Sequence, residues 1–269
     1  RLKKLEARML ATPGQQISLT DPDSRSMATS GRGSGMVAYN VQSAVDIKHH
    51  LIVAHEVTNS GSDRSQLSTM AKQAKAAIKT DTLEVVADRG YFKSEEILAC
   101  DKADITVTLP KPQTSSGKAR GRFVKQDFRY VTEDDVYLCP ADERLVYHAT
   151  NQERGLTLRR YWSKACPTCT IKDQCTTGKE RRIPRWEHEH VLEDVQYRLD
   201  EHPEKMRQRR ETVEHPFGTI KSWMGYTHFQ MKTLKRVGTE MALHVLAYNL
   251  KRVMNIIGIR PLIAAMKAA

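Results

Sequence analysis

Residues 81–112 read DTLEVVADRGYFKSEEILACDKADITVTLPKP, and they decide the fold class. The run 83–87 is short and apolar enough for a strand buried on both faces. It ends on Asp88, and Gly90 permits a tight turn into a helix over 94–99. A second strand follows at 105–109, and Cys100 falls in the packing of this unit. Strand, helix and strand in this order predict an α/β sheet. An Asp at the C-terminal end of such a strand, beside a glycine turn, is a favoured place for a functional group. The alternative is a turn residue that precedes a helix.

Upstream, 36–45 and 51–57 alternate as two strands joined by a turn at 46–50, a β-hairpin. Asp63 has the position of an N-cap for a helix over 65–78, with Leu67, Met70 and Ala74 on one side. Before the hairpin, QQISLTDPDSRSM has a β-type run at 17–20 that ends on Asp21 and Asp23. Carboxylates there suit a metal at the rim of a sheet. Either could equally cap an Asp-Pro turn. The small, basic stretch ATSGRGSG at 28–35 reads as a loop. The opening RLKKLEARMLA reads as the tail of an amphipathic helix stopped by Pro13-Gly14, which predicts a part missing upstream.

Downstream, 111–122 has Pro, Ser, Gly and basic residues without apolar period and reads as a linker. Four of the five cysteines then follow: Cys139-Pro, Cys166-Pro-Thr-Cys169 and Cys175. A CPxC pair supplies two soft ligands from one turn, so Cys139, Cys166, Cys169 and Cys175 predict a structural Zn²⁺ site, with His148 in reserve. Strand-like runs at 136–138 and 156–162 would frame it. Unrelated buried cysteines are the alternative. Helical pattern returns over 186–224 and contains RQRRETVEHPFGTIK at 207–221. At about 100° per residue, Arg207, Arg210, Glu214 and Lys221 share a face. A carboxylate flanked by cations suits a metal that handles a phosphate. The bland reading is a solvated face with local ion pairs. Pro216 removes a helix hydrogen bond between Glu214 and Lys221. In the apolar helix over 240–257, Leu243, Leu246, Ala247, Leu250, Val253 and Met254 read as packing, and Lys251 and Arg252 as the wet side.

The 269 residues carry a formal net charge of +11, which favours a polyanion, nucleic acid first and an anionic membrane surface second. No apolar run is long enough to span a bilayer and none reads as a signal peptide. Clustered cysteines argue against a secreted disulfide framework and for a metal clip in a reducing compartment. Asp21, Asp88 and Glu214 lie on separate elements, as a two-metal phosphodiester site requires, and hard oxygen ligands predict two Mg²⁺ ions.

In order, TDPDSRSM, YNVQSAVD, VTNSGSD, ADRGY, CP…CPTC…C and RRETVEHPFGTIK resemble the DDE transposases of bacterial insertion sequences, in the branch with a cysteine cluster before the last carboxylate. The likeness runs from about residue 16 to 257. It implies an RNase H-like, retroviral integrase-like mixed sheet flanked by helices, with a zinc-ribbon-like insertion. The implied domains are a helix tail at 1–15, a catalytic domain at 16–112 and 186–257, the insertion at 123–185 and a tail at 258–269. The implied chemistry cuts double-stranded DNA at element ends and joins the 3′-OH to target DNA. Asp21, Asp88 and Glu214 would hold the metals, and Arg210 and Lys221 would contact phosphates. Arg207 stands where the family carries Tyr. Asp23 and Asp46 are alternatives to Asp21. A homodimer on paired ends and a cytoplasmic, nucleoid-associated location are further implications. A non-transposing nuclease and a DNA-binding zinc-knuckle protein with an inactive acidic site are the rivals.

Overall fold

The strand–helix–strand segment forms where its apolar runs place it, and the hairpin forms over residues 40–58. The computed structural model describes residues 2–12, 15–27, 35–112 and 117–268. The chain is mixed α/β and divides into two units, Arg1–Lys111 with Asp194–Ala269, and Pro112–Glu193. Pro13-Gly14, residues 28–34 of the expected loop and residues 113–116 of the expected linker lie outside the described residues.

In the first unit, helix α1 (Leu2–Leu10) buries none of its residues. No strand forms at 17–20; Asp21 sits instead in a turn closed by Ser24 N donating to Asp21 O at 3.2 Å. The expected strand 36–45 breaks at Tyr39. Strand β1 (Arg25–Met27) pairs with β2 (Met36–Ala38), and β3 (Asn40–Val45) pairs antiparallel with β4 (Ile52–Thr58). Asp46 closes the β3–β4 turn by accepting from His49 N at 2.6 Å. Helix α2 (Leu67–Ile78) buries Leu67, Met70, Ala71 and Ala74. Strands β5 (Leu83–Val86) and β6 (Ile105–Thr108) are parallel, joined through α3 (Ser94–Asp101), which buries Ile97 and Cys100. The hairpin and the parallel pair are hydrogen-bonded as separate two-stranded sheets. A cavity of about 260 Å³ is lined by residues of β3, α2 and β5.

In the second unit, β7 (Arg129–Val131), β8 (Val136–Leu138), β9 (Arg144–Glu153), β10 (Leu156–Trp162) and β11 (Ile183–Trp186) form one antiparallel sheet in the order β11-β10-β9-β8-β7. Phe128, Tyr137, Leu145, Tyr161 and Ile183 make its core. Asp135 anchors the aromatic cluster, accepting from Tyr130 and Tyr161 hydroxyls at 2.6 and 2.7 Å.

After α4 (Glu189–Glu201) the chain enters α5 (Glu204–Gly218), which carries Pro216 inside it and runs into a π-helical turn at Thr219–Trp223. Ile220 of that turn joins Ile52, Met241, Val245 and Tyr248 in the first unit's core. Each such side chain contributes about 1.5–3 kcal/mol by leaving water. Helix α6 (Leu234–Ile257) corrects one expectation. It buries Val237, Glu240, Met241, His244, Val245 and Tyr248, while Leu243, Leu246 and Leu250 are 58%, 63% and 43% exposed. Polar groups also tie the helix to the hairpin. Asn249 brackets β4, with Ile52 N donating to Oδ1 at 2.9 Å and Nδ2 donating to Ile52 O at 2.8 Å. Arg252, expected on the wet side, donates twice to His49 O. Helix α7 (Ile259–Ala268) buries nothing.

Candidate active site

Polar residues interrupt β3 at alternate positions. Asn40 and Gln42 therefore face the same side of the strand. That side, the end of β5 and the face of α5 enclose an open cavity of about 520 Å³. Asp63, Asp88 and Glu214 line it, together with Asn40, Gln42, Tyr91, Arg209 and Lys221.

Each side chain is placed by its element. Asp88 follows β5 and caps the short turn Arg89–Tyr91, with Gly90 N donating to Oδ1 at 2.7 Å. The helix-preceding turn role weighed from sequence and the cavity position therefore coexist in one residue. Arg209 Nη2 donates to Asp88 Oδ2 at 2.9 Å. Asp63 Oδ1 accepts from Asn40 Nδ2 and Gln42 Nε2, each at 2.7 Å. Tyr91 donates to Gln42 Oε1. Burial first, then the Asp63 and Asp88 carboxylates, raise the Tyr91 phenol far above its usual range, so it is a hydrogen-bond donor at neutral pH. Glu214 is exposed on α5. The π turn lets Ile220 reach the core while Lys221, next in sequence, lines the cavity.

Two of the expected cations lie elsewhere. Arg207 is 83% exposed and pairs with Glu211 one turn on. Arg210 is exposed and does not line the cavity; Arg209 does. Thr212 and Pro216 are the buried positions of α5, so the helix turns Arg209 and Val213 toward the cavity. Asp21 does not line the cavity either. Its Oδ2 accepts from Tyr39 Oη at 2.7 Å, and its Oδ1 accepts from Thr233 N at 3.2 Å and Asp23 N at 3.3 Å. Asp23 Oδ2 accepts from Leu234 N at 2.8 Å. The two carboxylates thus satisfy orphan amides at the start of α6, a cap supplied from the far end of the sequence. Burial alone would raise the Asp21 carboxyl; Tyr39 and the two backbone amides outweigh it and hold the pKa below the ordinary value. The signal missed in the sequence was the Asn40, Gln42 alternation; Asp63 was legible only as a helix cap.

Among the described residues, no three His, Cys, Asp or Glu side chains are spaced to hold one metal ion. Mg²⁺ does not require such a cage, because it keeps several waters and binds through one or two carboxylates plus substrate phosphates. Oxygen donors in an open, cation-flanked cavity suit that ion. In the second unit, Cys139, Cys166, Cys169 and Cys175 line one cavity of about 30 Å³. A short turn at Cys166–Thr168 brings the CPTC pair together, and Cys139 and Cys175 pack on the aromatic core. Burial raises the Cys175 thiol; Arg181 opposes this, and the other three cysteines add to it. His148 stacks on Trp162 at 3.8 Å and does not line that cavity. No helix among the described residues is long and apolar enough to cross a membrane.

No curated protein and no solved structure matches the chain. Residues 138–254, the span that holds the four clustered cysteines, Glu214 and Lys221, match the model of a family described as Transposase DDE domain, and that similarity supports a DDE transposase.

Proposed function

We propose that the protein is a DNA transposase that cuts insertion-sequence ends and joins the freed 3′-OH to target DNA. One observation carries the reading: Asp88 and Glu214, far apart in sequence, line one cavity with Lys221. Divalent ions held there would activate the attacking oxygen and stabilise the leaving one. Asp88 and Glu214 supply oxygen ligands. Arg209 holds Asp88 in place and Lys221 binds phosphate oxygens. Arg210 and Arg207 are left for more distant phosphates. The arrangement of hairpin, parallel pair and α5 around the cavity supports an RNase H-like catalytic domain, and we assign the cysteine-bearing unit as an insertion held by structural Zn²⁺. A homodimer on paired double-stranded ends, acting in the bacterial cytoplasm at the nucleoid, belongs to the same proposal.

The test uses the purified chain, Mg²⁺ and DNA carrying the ends that flank its coding sequence. Wild type yields 3′-OH ends joined to a second DNA. Asp88→Asn binds the same DNA but cleaves at least roughly a hundredfold more slowly, about 2.7 kcal/mol in barrier. Unchanged cleavage removes Asp88 from the site. Hydrolysis without joining by wild type leaves a nuclease. Salt-dependent binding without Mg²⁺-dependent chemistry leaves a DNA-binding protein.

A further inference from the structure

Asp63 opens the short turn before α2, where a carboxylate ordinarily caps a helix. It does not cap; Ser62 does, accepting from Arg64 N. Asp63 Oδ1 instead takes two side-chain amide hydrogens, from Asn40 and Gln42. Gln42 is 1% exposed, so one donor is an amide desolvated in the protein interior. Two such donors orient the carboxylate. They also fix where Oδ2 goes. Oδ2 lies 3.6 Å from the position a Cβ on Gly90 would take, and Asp88 Oδ1 lies 2.9 Å from the same position. Carboxylate oxygens from two separate elements therefore face a shared space that the glycine leaves open. Like charges that face one space repel unless a cation stands between them. Arg209 offsets Asp88 from its other oxygen, and Lys221 lines the same cavity with Glu214. Asp21 does not line this cavity, and its oxygens accept from Tyr39, Asp23 and the start of α6.

We infer that Asp63, rather than Asp21, is the carboxylate that joins Asp88 at the divalent-cation position of the cavity, with Asn40 and Gln42 as the positioning residues that aim it. The inference rests on the phosphodiester reading above and names its third carboxylate.

The test is Mn²⁺ binding to the full chain without DNA, followed by the loss of the free-ion paramagnetic resonance signal. Asp63→Asn keeps an acceptor for Asn40 and Gln42, so circular dichroism is expected to stay unchanged. Asp63→Asn and Asp88→Asn each weaken Mn²⁺ binding by roughly tenfold or more, whereas Asp21→Asn changes it by less than about twofold. Weakening by Asp21→Asn and Asp88→Asn but not by Asp63→Asn overturns the inference and leaves the phosphodiester reading standing. Unchanged binding in all three variants overturns both. A measurement on wild type removes dependence on any variant's folding. Mn²⁺ should broaden the side-chain amide resonances of Asn40 and Gln42 and leave the Thr233 backbone amide sharp. The reverse pattern overturns the inference.

Discussion

Gly90 shows how much one hydrogen atom in place of a methyl group decides. A Cβ there would sit 2.9 Å from Asp88 Oδ1, closer than side chains tolerate, and Asp88 is already fixed by Gly90 N and Arg209. The carboxylate could not retreat without losing one of those bonds. Gly90→Ala should therefore turn Asp88 out of line and slow Mg²⁺-dependent cleavage by roughly tenfold, about 1.4 kcal/mol. The melting temperature should move little, because Gly90 is exposed. Cleavage at the wild-type rate would show that the space in front of Gly90 is not used.

At the scale of elements, the five-stranded antiparallel sheet and the cysteine turns form one unit. Its core is aromatic and small, and Cys139 and Cys175 pack directly on it. A metal clip there would fasten the loops around the CPTC turn to the sheet. Protein purified without chelators should contain about one zinc per chain. Stripping the metal, or Cys166→Ser, should make residues 123–185 the first to be cut by protease, while the α2 and β3–β4 segments stay protected. Metal analysis that finds no zinc would end this part of the proposal. The α6 finding belongs to the same scale. Apolar periodicity located the helix, and the side that faces in carries Val237, Met241, Val245 and Tyr248, with Asn249 and Arg252 bonded to the hairpin backbone.

Across the whole molecule, carboxylates secure the approach to α6. Glu240 accepts from Gln230 N and Met231 N at 2.8 and 2.9 Å, and Asp21 holds Thr233, a β-branched residue at φ 74°. That φ is strained for Thr and persists because its surroundings fix it. The Glu240 carboxyl, like that of Asp21, lies below its ordinary value: burial would raise it, and the two amides and His244 outweigh that. Both groups have folded values depressed below unfolded values near 3.8 and 4.5. Their contribution to stability is complete above the unfolded values and is lost as pH falls through the folded ones. Melting temperature should thus be level from pH 7 to about 5 and drop below that. Asp21→Asn should lower it at pH 7 and flatten the acid decline. A parallel, undiminished decline in the variant would show that Asp21 does not titrate with folding.

The sequence by itself determined the elements and the chemistry on offer. Alternation in 36–57 and the apolar runs at 83–87 and 105–109 yielded the hairpin and the parallel pair, because side-chain period and strand length are local properties. Asp88 was legible for the same reason: it ends a strand beside a glycine. Which carboxylates share a cavity was decided only by the tertiary structure. Asp21 and Asp63 look alike in sequence, each beside a turn or helix start. Asp21 is drawn to the amides of a helix that begins at residue 234, and Asp63 to amides on β3. Those partners are remote in sequence, and a carboxylate goes to the donors that folding brings within about 3 Å, which no local pattern records.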